Sequence, residues 1–312
     1  MKKLGLDAVV ANPRRGRTQN SDLELRGWRA LKRLAKTRTD GSIVVLHYSG
    51  SSRFARTARV ATMAAMTRPS QLILLQHNGA YSEVLNGTGL VSSMHRRLVR
   101  RAAVVLCLSS ALERAALDAD PNATTVRCGS FIPSDFLEDL RHKRRNKRSP
   151  KPPVVVTSGY RTPTYQYEEI IDAIEDARSH HPEVQLHLYC YGATDQPYWD
   201  TIVAKANQFD NVVIHNDITV DKWLIRLSEA ALYIRNTSHD SYGVAVAEAL
   251  FLRIPAIATS VCERTPGSVL FDLGDTATMT QLVCEMIGNQ VLDDVEDPGS
   301  AIDGYLEAFA HV

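Results

Sequence analysis

Nine short runs of largely unbroken apolar sequence limit what this chain can fold into: LDAVVAN (6–12), SIVVLHYS (42–49), QLILLQHN (71–78), AAVVLCLSS (102–110), PVVVTSGY (153–160), VQLHLYCYG (184–192), NVVIHND (211–217), AALYIRN (230–236) and PAIATS (255–260). Each is short for a helix, and its apolar residues are largely consecutive rather than alternating. A strand of that kind must be covered on both faces, as in a parallel sheet flanked by helices. The intervening segments carry helical spacing: LELRGWRALKRLAK (23–36) after the capping residues Ser21 and Asp22, EEIIDAIEDARSHH (168–181), YWDTIVAKANQF (198–209), DKWLIRLSE (221–229) and VAVAEALFL (244–252). This alternation predicts an α/β protein with mainly parallel sheets.

At 312 residues the chain is longer than one core ordinarily serves, so two lobes are expected. RHKRRNKRSPKPP (141–153), with seven Lys/Arg between Arg141 and Lys151, reads as an exposed linker. The expected division is a shortened first lobe at 1–140, a basic linker at 141–151, a second lobe at 152–290, and a C-terminal segment at 291–312 whose helix packs on the first lobe. A net charge of +1 conceals a strong asymmetry: residues 1–151 carry 28 Lys/Arg against 11 Asp/Glu, and residues 152–312 carry 8 against 24. Two explanations stay open. The lobes attract one another, or the basic lobe and linker face an anionic partner such as the headgroups of a membrane. Nucleic acid is the weaker partner, because the basic run lacks interleaved aromatics and the sequence after it is acidic.

No segment approaches the length of apolar sequence that spans a bilayer, and Asp7 interrupts any leader-like apolar region. A soluble cytoplasmic protein is expected, at most peripheral to the inner face of a membrane. The five cysteines form no CxxC pair, which suggests a reducing compartment and mostly buried thiols. The ten histidines form no HExxH or Cys/His cluster, so neither metal nor cofactor is expected. GxGxxG and P-loop motifs are both absent.

Ligands of open parallel sheets bind beyond the carboxyl ends of the strands. That rule points to His47, His77, Gly159–Arg161 and the 236–243 loop. NPRRGRTQN (12–20) follows the first strand and sets Gly16 beside Arg15 and Arg17, either as a polar turn or as an anion- or acceptor-binding loop. In HDSYGVAVAEAL (239–250) a helix should begin near Tyr242–Val244, with Asp240 as its cap and Gly243 allowing close approach of a ligand. Glu248, between Ala247 and Ala249, must reach solvent or meet hydroxyl donors. The pattern predicts a phosphate at the helix tip with a polyhydroxylated group beside it.

NTSHDSYGVAVAEALFLRIPAIATS (236–260) resembles the signature of the GT-B, GT4-like retaining glycosyltransferases: an acid, seven residues, a glutamate, then a Pro-led apolar strand. RRLVRRAAVVLCLSSALERAAL (96–117), VRCGSFIPSDF (126–136) and NVVIHNDITVDKWLIRLSEAALYIRN (211–236) extend the likeness. The resemblance implies two Rossmann-like lobes facing a central cleft and transfer of a sugar from a UDP- or GDP-sugar to a glycan, lipid-linked or other acceptor, without metal. It further implies homo- or hetero-oligomers as an option. By position, Glu248 would hold the ribose, Ser241, Tyr242, Gly243 and Val244 the diphosphate, and Asp240 would sit near the sugar. Gly159 would join the donor site, Arg161 would be catalytic together with Asp240 and His77, the last beside the transferred sugar, and Gly16 would stand in the first-lobe loop. Departures are Asp240 for the usual Glu, Arg253 for a small glycine, and Gln166 where a lysine is usual. They keep two alternatives in view: a non-catalytic partner or scaffold of a transferase, and a nucleotide-sugar epimerase-like enzyme.

Overall fold

The computed structural model describes residues 11–12, 23–24, 43–48, 54–76, 81–144, 152–288 and 301–312. The chain divides into two compact units, one of Met1–Cys107, Ala111–Arg127 and Gly304–Val312, the other of Leu108–Ser110 and Cys128–Asp303.

In the first unit β1 (Ala11–Asn12) pairs in parallel with β2 (Leu23–Glu24). Leu23 and Glu24, expected to open a helix, are therefore extended: pairing with a distant segment overrides their local propensity. The remainder of that expected helix, 25–36, lies outside the described residues. The main sheet has the order β3 (Val44–Tyr48), β4 (Leu72–Gln76), β5 (Val104–Cys107), β6 (Thr125–Arg127), parallel throughout. The helices α1 (Phe54–Met66), α2 (Tyr81–Asn86), α3 (Leu90–Arg101) and α4 (Ser110–Ala119) run between its strands.

Arginines of α3 finish the helices around it. Arg101 donates to the carbonyls of Ala64 (2.8 Å), Ala65 (3.0 Å) and Thr67 (2.7 Å) at the end of α1. Arg96 donates to Leu85 (2.7 Å) and Gly87 (3.0 Å) at the end of α2, and Arg100 to Ala119 (3.3 Å) at the end of α4. Carbonyls at helix ends lack intrahelical donors and carry partial negative charge, so a guanidinium answers both needs. Part of the basic character of residues 1–151 is thus internal capping.

The second unit is built on six parallel strands in the order β9-β8-β7-β10-β11-β12. In chain order its elements are α5 (Asp135–Arg144), β7 (Val154–Arg161), α6 (Tyr167–Ala177), β8 (Gln185–Thr194), α7 (Gln196–Ala206), β9 (Val212–Asn216), α8 (Val220–Ser228), β10 (Leu232–Arg235), α9 (Val244–Phe251), β11 (Ala256–Thr259), β12 (Val269–Phe271) and α10 (Thr276–Gly288). The last helix, α11 (Ile302–Ala310), begins in this unit and continues into the first. Successive strand residues feed opposite cores. Val155, Leu188, Leu232, Ile234 and Ile257 pack with α6, α7 and α10, while Val156, Tyr189, Tyr233, Ala256 and Ala258 pack with α5, α8 and α9. Burial on both faces explains the unbroken apolar runs. The chain winds outward in both directions from the β7–β10 pair, which makes the carboxyl ends of these two strands the topological switch point.

The linker expectation needs correction at its start. Arg141–Arg144 form the last turn of α5, with the Arg141 guanidinium 4.4 Å over the Phe251 ring. Arg144 donates to the carbonyls of Ser228 and Ala230, and its burial lowers its pKa to about 10. These cations cap and cover the core, while residues 145–151 lie outside the described residues. All five cysteines are free, with Cys107 and Cys190 buried and Cys128, Cys262 and Cys284 partly exposed. Among the described residues no helix is long and apolar enough to cross a membrane.

Replacing Arg101 by Ala should cost about 1–3 kcal/mol of stability, since three carbonyls lose a charged donor. Arg100→Ala should cost less, for one bond of 3.3 Å is lost. The urea midpoints of the two variants against the unaltered chain check this ranking.

Candidate functional site

β10 is apolar until its last residue, Arg235, which is buried at the switch point. The Arg235 Nη1–H donates to the carbonyl of Ser158 (3.1 Å) on β7, and its Nε–H donates to Asp240 Oδ2 (2.8 Å). From the opposite direction Arg264 Nη1–H donates to the same Oδ2 (2.7 Å). The other donors of Arg264 go to the Thr259 carbonyl (3.0 Å) and to the hydroxyls of Thr237 and Thr259 (3.2 Å each). Side-chain exposures of 10% for Arg235 and Asp240 and 1% for Arg264 make this a buried ion cluster rather than a surface bridge. Burial alone would raise the Asp240 carboxyl; Arg235 and then Arg264 outweigh it and hold the pKa at about 2. The second oxygen, Oδ1, accepts the Ser241 N–H (2.9 Å).

Two of the glycines singled out in the sequence serve this cluster. Gly243 has φ 78° and directly precedes α9, and a Cβ there would lie 2.6 Å from Arg264 Nη1. The group that approaches Gly243 closely is thus Arg264, where a ligand was expected. At Gly159 a Cβ would meet the Tyr165 ring at 2.0 Å. That ring in turn lies 5.0 Å from the Arg235 guanidinium and stacks on Tyr167 at 6.0 Å. Gly159, Tyr165, Arg235, Asp240, Arg264 and Gly243 therefore form one continuous packed series.

Glu248 stands on α9, half-buried, with Ala247 and Ala249 buried on either side of it in sequence. Its Oε2 accepts the Trp223 Nε1–H at 3.2 Å. Burial raises the Glu248 carboxyl to about 7, with the Trp223 bond opposing. Trp223 is braced by Tyr189 (5.2 Å, edge to face), and Tyr189 stacks on His215 at 4.5 Å. His187, 5.0 Å from His215, is held down to about 4 by burial and by His215, so at neutral pH it is uncharged. The hydroxyl of Tyr242 lies against Gly129, 2.9 Å from where a Cβ would be, and Val244 is exposed.

Arg161 belongs to a different set of contacts. Its donors go to Asn216 Oδ1 (3.1 Å), Thr194 Oγ1 (3.4 Å), the Cys190 carbonyl (3.3 Å) and Asp217 Oδ2 (2.5 Å), all toward the β8–β9 side of β7. The Arg161 bond lowers the pKa of Asp217. Gln166 has a left-handed backbone (φ 41°), and its amide donates to Glu169 Oε1 (3.0 Å), whose other oxygen accepts from Asn236 (2.8 Å). His47 is on β3, while His77, Gly16, Arg15 and Arg17 lie outside the described residues. Sequence reasoning did not single out Trp223, Arg235 or Arg264. Arg235 alone left a signal, a cation closing a buried strand five residues before an acid.

At near-neutral pH the lowered carboxyl of Asp240 contributes stability. That contribution is complete above its ordinary value of 3.8 and is lost as the pH falls toward about 2. Asp240→Asn should therefore be less stable near neutrality and should flatten the acid limb of stability between about pH 4 and 2. Urea unfolding across that range checks it.

No protein-family model matches the chain, and no curated protein sequence does. Solved structures do. The crystal structure of TarM is similar at 14% identity and TM-score 0.57, covering 90% of this chain and 54% of TarM, so the chain spans about half of that protein. A UDP-forming α,α-trehalose-phosphate synthase from Burkholderia xenovorans matches at 11% identity and TM-score 0.63, over 91% of this chain and 74% of the synthase. Anabaena Alr3699/HepE, solved with UDP and glucose, matches at 15% identity and TM-score 0.59, over 93% of this chain and 82% of its own. Identities this low speak for architecture. With its sheets of parallel strands between helices, the chain has the α/β fold of the GT-B glycosyltransferases.

Proposed function

We propose that the protein is a metal-independent glycosyltransferase of GT4-like type, which takes a sugar from a UDP- or GDP-sugar and transfers it with retention to a glycan or lipid-linked acceptor. In this reading the second unit, 152–290, binds the donor and the first, 1–140, the acceptor. The observation that carries the proposal is Glu248. It is a half-buried carboxylate near the switch point of a parallel sheet, with one protein donor, Trp223, and an oxygen left for hydroxyl groups. A vicinal diol such as that of ribose supplies the missing donors. The UDP present in the Alr3699/HepE structure agrees with a donor of this kind.

Within the proposal Glu248 holds the ribose, and the Ser241–Val244 segment receives the diphosphate at the start of α9. Arg161 and Gly159 shape the floor of the donor site from β7. Asp240 orders the loop in which the sugar would lie. His77 would stand beside the transferred sugar, and Gly16, Arg15, Arg17 and His47 would serve the acceptor side. Contact of the basic first lobe and of the linker beyond Arg144 with anionic lipid would bring a membrane-borne acceptor close.

One observation favours a second reading, a non-catalytic partner of an active transferase: both oxygens of Asp240 are already engaged by the protein. A panel of UDP-, GDP-, ADP- and CMP-sugars separates the two. Saturable binding with transfer or hydrolysis supports the enzyme, binding without turnover supports the partner, and no binding to any member refutes both.

Two outcomes are expected at Glu248. Replacement by Ala should weaken donor nucleotide binding by at least roughly tenfold, because polar groups of the ligand lose their match. The acid must be ionised to accept hydroxyl donors, and its free pKa is about 7. Nucleotide affinity should therefore rise between about pH 6 and pH 8, beyond any rise seen in Glu248→Gln. Calorimetric titration of both proteins at each pH measures the difference.

A further inference from the structure

The buried cluster around Asp240 does not balance its own charge. Two guanidiniums share a single carboxylate, and among the described residues no second carboxylate pairs with either. Asp240 stays ionised far below neutrality, and two guanidiniums face its one carboxylate, so the cluster holds a net +1. An unbalanced charge in such surroundings is costly unless something compensates it. The other arginine near the switch point cannot serve a ligand in the same way, because Arg161 is paired with Asp217 and contributes no net charge.

The location of the excess charge is specific. Arg264 Nη1 lies directly against the Cβ side of Gly243, beneath the first turn of α9, and Val244 at the surface of that turn is 41% exposed. Arg264 itself, at 1% side-chain exposure, touches no solvent and cannot bond to a ligand directly. What it can provide is a field. At that depth solvent screens a charge poorly, and an anion at the surface of the first turn of α9 feels it across the Gly243 backbone, with Asp240 Oδ2 and Val246 Cγ2 each 3.3 Å from where a Cβ would be.

We infer that the Arg235–Asp240–Arg264 cluster is a fixed, buried source of positive charge that binds the diphosphate of the donor through its field. The inference rests on the donor-binding reading above and adds to it which residues provide the neutralising charge. Asp240 then has a purpose other than contact with the sugar: it holds two like charges together within 2.8 Å of one oxygen and sets the cluster at +1 rather than +2. Arg264 and Arg235 are positioning residues in this scheme.

The test compares a nucleoside diphosphate with its own nucleoside, using whichever of UDP, GDP and ADP the unaltered chain binds most tightly. Arg264→Met should lose roughly tenfold or more in affinity for the diphosphate with the nucleoside unaffected, and Arg264→Lys should recover part of that loss. Should Arg264→Met fail to fold, Asp240→Asn raises the cluster to +2. That variant should increase the preference for diphosphate over nucleoside, and the increase should shrink with added salt. A folded Arg264→Met with an unchanged preference, an equal loss for both ligands, or an Asp240→Asn whose preference stays level or falls overturns the inference. If the unaltered chain binds none of the three diphosphates, the donor reading itself fails, and the inference with it.

Discussion

The shared oxygen of Asp240 is the interaction on which the second unit's ligand-binding end depends. Holding two guanidiniums within hydrogen-bond distance of one carboxylate oxygen, almost without solvent, requires that everything around them fit closely. Arg235 must end β10 at the height of Ser158 on β7, which ties together the two strands from which the sheet winds outward. Tyr165 must lie flat enough to cover Arg235, so residue 159 has no room for a side chain. Arg264 must pass under the entry to α9, which leaves only glycine at 243. The start of α9, and with it the direction of Glu248, is therefore set from below by charge pairing as well as by its apolar face against the sheet.

Glu248 is supported from another side. Trp223 fixes one oxygen, and Trp223 is packed in turn against Tyr189, which stacks on His215 of the neighbouring strand. Keeping His187 and His215 uncharged under this stack avoids further positive charge beside the exposed Arg226. The two acids of HDSYGVAVAEAL consequently live in opposite environments. Asp240 is saturated with cations and strongly acidic, whereas Glu248 has one neutral donor and an elevated pKa. Such a pair suits division of labour, with one acid organising the loop and the other open to a ligand.

The architecture was legible because burial on both faces of a parallel sheet leaves a one-dimensional trace. Val155 and Val156, or Tyr233 and Ile234, serve different cores yet stand side by side in the sequence. Short pairings leave no such trace: β2, Leu23–Glu24, carries the start of a helical pattern because two residues of strand have no period of their own. Charge was the least decisive signal. The excess of Lys/Arg in residues 1–151 leaves both lobe attraction and an anionic partner open, and it does not show that Arg96, Arg100 and Arg101 donate to helix carbonyls that become neighbours only in the fold. Likewise Gly243 was expected from the sequence pattern, but its reason, the approach of Arg264 from twenty-one residues away, is a fact of three dimensions.

The claim that matters most is that Glu248 accepts the hydroxyls of a donor ribose. The most direct measurement compares UDP, or GDP if that nucleotide binds better, with its 2′,3′-dideoxy analogue on the unaltered chain and on Glu248→Ala. The account predicts that removal of the two hydroxyls weakens binding to the unaltered chain by at least roughly tenfold and has little effect on Glu248→Ala, because the carboxylate that rewards them is gone. An equal loss in both proteins, or no loss in the unaltered chain, would contradict it.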